Sequence, residues 1–168
     1  MSAVDPVQTC YAAALLSQTS TEDCELMPLF GQVMLGLTPN LSWERLEVQT
    51  DDDYILSMVH IFADSDGNPN DDALGPVMLV HGANTNGLSW FDSTEPTMYK
   101  SLVERLWYEG FDVYIPNLRG TLYSREHATL DLDSKEYWDY DIETVAKMDI
   151  PALVSAVLTK RQQDSKPC

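Results

Sequence analysis

The strongest constraint on the fold is an unbroken apolar run, residues 76–80 (PVMLV), that stops at His81-Gly82. It shows no polar alternation, so it reads as a strand buried on both faces, the pattern of a parallel sheet. A parallel neighbour must be reached by a crossover, and the following residues supply one. Tyr99, Leu102, Val103, Leu106 and Trp107 recur at helical spacing and form one expected buried face. Gly110 follows as the stop signal. Residues 111–115 (FDVYI) read as the next strand, breaking at Pro116. Strand, helix and strand with short connections define a βαβ unit with a right-handed crossover.

Upstream, residues 44–50 alternate apolar and polar side chains, and residues 54–62 are rich in β-formers. With Asp51-Asp52-Asp53 as the turn between them, they predict a β-hairpin. Downstream, residues 144–158 read as helical, with Pro151 starting the main helix and Leu153, Val154, Val157 and Leu158 on its buried face. The tail 159–166 is polar. Residues 1–41 form a separate N-terminal segment with a break at 38–40 and no chemistry of its own, which leaves 42–168 as the folded region. The fold class is α/β: a leading hairpin, then strand, helix, strand, helix. A doubly wound sheet continues with a further strand, so the strand ending at Ile115 is expected at an open apolar edge.

Charge narrows the function. There are 27 Asp+Glu against 10 Lys+Arg, a net −17 with His neutral. Such a surface does not neutralise nucleic-acid phosphates, nor does it dock on an anionic membrane through a basic face. No apolar run approaches the roughly 20 residues of a membrane span. The 168 residues, 44% of them hydrophobic, suffice for one packed domain. The cysteines are Cys10, Cys24 and Cys168. Cys10 and Cys24 either close a loop in an oxidising compartment or stay free thiols. No C-x-x-C is present, and no motif calls for a metal or cofactor. Residues 64–68 (DSDGN) hint at a calcium loop, but Pro69 and Gly75 stand where that motif needs Gly and Glu. Residues 1–16 have an apolar patch without a basic region before it, a poor signal peptide. Asn40-Leu41-Ser42 is an N-glycosylation acceptor sequence, meaningful if the chain enters the secretory pathway.

Val80-His81-Gly82-Ala83 is the candidate site. Gly82 permits a sharp turn at the strand end, and Ala83 would present its backbone N–H where negative charge develops on a carbonyl oxygen. His81 is expected to support the turn as a hydrogen-bonded structural residue. No G-x-S-x-G nucleophile elbow occurs in the 168 residues. The nearest stretch, 87–91, lacks the second Gly, and Ser89 reads as a loop residue. None of His60, His81 and His127 is placed as a general base. Arg119, one of few cations, reads as a structural ion-pair partner, and residues 137–140 (YWDY) as core packing plus a solvated carboxylate.

In order along the chain, several segments resemble the acid lipase family of α/β-hydrolases, the gastric and lysosomal lipases. Residues 47–56 (EVQTDDDYIL) resemble the family's E-V-x-T-x-D-G-Y-I-L hairpin, and Val80-His81-Gly82-Ala83 its oxyanion strand end. Residues 110–113 (GFDV), 117–120 (NLRG) and 124–127 (SREH) resemble G-F-D-V…N-x-R-G-N-x-x-S-R-x-H. Tyr137-Trp138 with residues 149–152 (DIPA) resemble F-W…D-L-P-A. Asp53 replaces the hairpin glycine, implying a looser or different turn; Ala83 replaces a frequent Leu, and Thr121 a frequent Asn. The resemblance implies the N-terminal part of a hydrolase sheet, cut before the nucleophile elbow. It implies a lipase acting on triacylglycerol or sterol esters through a Ser-Asp-His triad lying beyond this segment. Secretion or a lysosome-like compartment is also implied. The 168 residues alone are then expected to be inactive, with Ala83 N–H as half of an oxyanion hole. The alternatives are a stand-alone, non-catalytic domain binding a partner or lipid, and another carboxylester hydrolase of the same fold.

Overall fold

The computed structural model describes residues 34, 38–70, 74–91 and 101–164. Cys10, Cys24 and Cys168 lie outside the described residues, as do Tyr99 and the signal-peptide and helix readings within residues 1–33. From Asn40 onward the chain forms one compact unit. Its elements are β1 (Leu41–Gln49), β2 (Tyr54–Asp64), β3 (Pro76–Met78), a 3-10 turn (Gly87–Phe91), α1 (Leu102–Tyr108), β4 (Asp112–Asn117), β5 (Glu126–His127), a second 3-10 turn (Glu136–Trp138) and α2 (Ile142–Gln163).

The hairpin is present. β1 and β2 pair antiparallel from Leu41↔Asp64 to Gln49↔Ile55, with an irregularity between Ser42 and Trp43. Asp53 takes the left-handed conformation, φ 69°, that the family's glycine would take. The turn is therefore not loosened by the exchange, because aspartate tolerates this region better than most residues. Thr50 fastens it: its Oγ1 accepts from Tyr54 N–H at 3.0 Å and donates to Asp52 Oδ1 at 2.6 Å.

The sheet order is β1-β2-β4-β3, with β5 joined to β2. β2 and β4 are antiparallel, and β3 and β4 are the parallel pair expected of the crossover. Three expectations change here. The 76–80 run is not buried on both faces: the strand covers only Pro76–Met78, with Pro76 exposed and Val77 to Val80 half-buried. β4 lies between β2 and β3, so the outer strand on this side is β3 and not the strand ending at Ile115. Nor does β4 break at Pro116, which pairs with Met58. Leu79 N–H donates to Tyr114 O, so by alternation Pro116 turns its missing donor to the same side, beyond the end of β3.

Strand directions put the hairpin turn and the carboxyl ends of β3 and β4 at one end of the sheet. In open α/β sheets the carboxyl ends of the parallel strands are where ligands bind. α1 is capped by Ser101, whose Oγ accepts from Glu104 N–H at 3.2 Å. It ends in a Schellman motif: Gly110, φ 98°, donates to Trp107 O while Phe111 N–H donates to Leu106 O. Val103 and Trp107 point inward, whereas Leu102 is exposed.

α2 is one continuous helix with Pro151 inside it, so the proline does not begin a separate helix. Asp141 caps its start, accepting from Thr144 N–H at 2.8 Å. Its inward stripe is Val145, Asp149, Leu153, Val157 and Arg161, spaced by four. Val154 and Leu158, expected inside, are exposed because they sit about a quarter-turn or more off that stripe. Within the polar tail, Arg161 is fully buried as part of this stripe. Leu153 and Val157 pack with Val48, Tyr54, Leu56, Met58, Tyr114 and Tyr137 in the main core.

Candidate oxyanion turn and the ionic cores beside it

The turn after β3 is held by its neighbours. His81 is buried, and its Nε2 accepts from Leu118 N–H at 3.1 Å. Its Nδ1 lies 2.8 Å from Gly82 O and must donate there. One nitrogen accepting and the other donating defines the neutral Nδ1–H tautomer. The ring thereby ties the turn to the loop after β4. Thr85 Oγ1 also donates to Gly82 O at 3.0 Å, and Asn84 adopts φ 59°. Asn117, at the end of β4, accepts Gly87 N–H on Oδ1 at 2.9 Å. No side chain larger than hydrogen fits at Gly87: a Cβ there would lie 2.8 Å from Ile115 Cγ2.

Between these tethers Gly82 and Ala83 are exposed. Among the described residues the Ala83 N–H has no hydrogen-bond acceptor. A backbone donor without an intramolecular acceptor, on an exposed residue just past the carboxyl end of a parallel strand, is able to receive an anionic or polarised oxygen. The tethers through Leu118 and Asn117 were not legible beforehand. Asn117 stands within a quoted segment, but its contact depends on two separate chain segments meeting.

The other sequence candidates occupy structural positions. Ser89 Oγ donates to Asn86 O at 2.9 Å within its own turn. His127 donates from Nε2 to Asp52 O at 3.1 Å, and its Nδ1 accepts from Thr129 and Leu130 N–H groups. Ser124 Oγ donates to Asn117 O at 2.7 Å and accepts from Ser57 N–H at 2.8 Å. Asp64 Oδ1 closes its own loop by accepting from Asp66 and Asn68 N–H groups.

Arg119 sits in a buried knot just behind the turn. Its Nε donates to Asp149 Oδ1 at 2.7 Å, and its backbone N–H to Asp149 Oδ2 at 3.0 Å. Its two terminal nitrogens reach Asp52 Oδ2 and Oδ1 at 2.7 and 2.8 Å. The guanidinium carbon lies 3.9 Å from the centroid of the Tyr54 ring, a cation–π contact. Burial alone would lower the Arg119 pKa, but the two carboxylates raise it instead. The Arg119 hydrogen bond holds Asp52 below the usual carboxylate range. Tyr54 donates its hydroxyl to Tyr137 O, and burial pushes the Tyr137 phenol up to about 12. Tyr137 is core, as expected, while Trp138 is exposed.

A second ionic core lies toward the other end of the sheet. His60 is fully buried between Glu44 Oε1, 2.8 Å from Nδ1, and Asp112 Oδ1, 2.9 Å from Nε2. Its ring stacks on Tyr114 with centroids 4.4 Å apart. Asp112 Oδ2 accepts from Arg161 Nη1 at 2.7 Å and from the Tyr114 hydroxyl at 2.8 Å. Burial opposes ionisation of Asp112, yet bonds from His60, Tyr114 and Arg161 hold its carboxyl well below the ordinary range.

The fold and this turn define the N-terminal portion of an α/β-hydrolase sheet. Residues 38–94 match the protein family described as the partial alpha/beta-hydrolase lipase region. Similar curated proteins are lipases. A probable lipase of Schizosaccharomyces pombe is 38% identical over 66% of this chain and 24% of its own length. Human lipase member M is 36% identical over 72% of this chain and 28% of its own. Human lysosomal acid lipase/cholesteryl ester hydrolase is 34% identical over 72% and 30%. The chain thus carries the partial α/β-hydrolase lipase region of this family, spanning about a quarter to a third of the length of these relatives. Among the described residues no helix is long and apolar enough to cross a membrane.

Proposed function

We propose that this chain supplies the front of a lipase-like ester hydrolase, with Ala83 N–H as one oxyanion donor and His81 and Gly82 as its supports. The observation that carries this reading is the exposed, tethered backbone donor at the carboxyl end of β3. In acyl transfer the carbonyl oxygen gains negative charge as a nucleophile adds. A donor already held in place stabilises that charge without reorganising, and losing one such donor costs about 10²–10³-fold in kcat. His81 positions the donor through Gly82 and Leu118. No nucleophile is assigned here, because the sequence has no G-x-S-x-G.

The substrate class proposed is a lipid ester, triacylglycerol or sterol ester, by kinship with relatives named as lipases and cholesteryl ester hydrolase. The region 42–168 is the hydrolase-like part, and the 168 residues alone are inactive in this reading. The test is to read the expressed transcript past the codon for Cys168 and to assay its product. A G-x-S-x-G segment is expected, with lipid-ester hydrolysis that Ala83→Pro reduces about 10²–10³-fold. A stop codon directly after Cys168 would end the enzyme reading and favour a non-catalytic domain that binds a partner or lipid.

A further inference from the structure

We propose that Asn40 is an N-linked glycosylation site, placed so that its glycan leaves the candidate catalytic end of the sheet open. Asn40-Leu41-Ser42 satisfies the acceptor pattern, with no proline between Asn and Ser. Asn40 is exposed, in a turn directly before β1. Its carbonyl accepts from Ser65 N–H at 2.9 Å, which fixes the turn backbone. Among the described residues its side-chain amide has no partner.

Strand directions set the location. Leu41 pairs with Asp64 and Ile61 with Val113, so Asn40 lies toward the amino end of β4. Ser57 pairs with Asn117 at the carboxyl end, where His81 meets Leu118. A glycan on Asn40 therefore projects from the end of the sheet opposite Ala83. It also stands at the start of β1, an outer strand of the described sheet. A bulky polar group there hinders edge-to-edge pairing with other chains.

In the folded unit Ser42 Oγ donates to Asp64 O at 2.9 Å, so the hydroxyl of the acceptor sequence is engaged once β1 and β2 pair. Transfer is thus to the nascent, unpaired chain. The donor is an oligosaccharide linked through a diphosphate to a lipid. Asn40 Nδ2 bonds to the anomeric carbon and gives up one proton, while the bond from that carbon to the diphosphate oxygen breaks and the lipid diphosphate departs.

The experiment expresses the 168-residue chain behind a cleaved secretory leader in a eukaryotic cell, with a second acceptor sequence appended after Cys168 to report lumenal entry. Glycans are counted by mobility before and after peptide-N-glycosidase treatment. Asn40→Gln and Ser42→Ala should each carry one glycan fewer than the parent, and Ser42→Thr should keep the parent number. An equal glycan number on the parent and Asn40→Gln, with the appended acceptor occupied, overturns the proposal.

Discussion

The Arg119 knot and the His81–Ala83 turn adjoin at the same end of the sheet but are built oppositely. The knot is buried, and every donor on Arg119 that the structure pairs goes to Asp52 or Asp149. It has side chains from three distant segments; Arg119 and Asp149 are fully buried, and the partly exposed Asp52 carboxylate is engaged by both terminal nitrogens of Arg119. The turn is exposed at Gly82 and Ala83 and is held from behind by His81 and Asn117. The strongly perturbed ionisations at this end thus mark architecture, while the chemical candidate is a backbone N–H that does not titrate. Perturbed groups point to functional sites only probabilistically, and here their geometry assigns them to the frame.

Breaking the knot should have the largest effect. Arg119→Met leaves Asp149 buried without its cation, and a loss of about 3–5 kcal/mol is expected in urea unfolding. Gly120→Ala should follow at about 1–3 kcal/mol. Gly120 has φ 74°, and a Cβ would lie 2.1 Å from the Tyr140 hydroxyl and 2.8 Å from Trp138 Cζ3.

Acid should strain both ionic cores through their carboxylates. Asp52 and Asp112 have folded-state pKa values below their unfolded ones. Their contribution is fully present above the unfolded carboxylate range, near pH 4, and is lost as pH falls through the folded values. The urea midpoint should therefore fall below about pH 4. Asp112→Asn should flatten that fall while lowering the midpoint at neutral pH.

The turn should give smaller numbers. His81→Ala removes the acceptor for Leu118 N–H and the donor for Gly82 O, costing about 1–2 kcal/mol. Its clearer signature is faster amide exchange at Leu118 and through residues 82–87. Ala83→Val should change stability by no more than about 0.5 kcal/mol, as expected for an exposed position away from the frame.

Much of this frame was legible in the sequence. The apolar run at 76–80 and the helical face ending at Gly110 pointed to a parallel pair, and β3 and β4 form it. The run did not report burial, because β3 is an outer strand with Pro76 exposed and Val77 to Val80 half-buried. The segments resembling acid lipases contain Asp52, Arg119 and Asp149, so the residues of the knot were on view, though not their meeting. Which strand lies outermost was not readable, since hydrophobicity marks burial and not neighbour order. Pro151 misled because local propensity favours proline at a helix start, whereas a long packed helix tolerates one inside. Val154 and Leu158 misled because apolar residues do not record which flank of a helix is covered. At the site, His81, Gly82 and Ala83 were candidates from the sequence, whereas the tethers through Leu118 and Asn117 required the fold.

The most direct test of the central account, a hydrolase frame with an oxyanion turn and no activated nucleophile of its own, is fluorophosphonate labelling of the folded 168-residue protein. The account predicts no labelling above that of the heat-denatured chain; specific modification of any serine, Ser89 included, would contradict it.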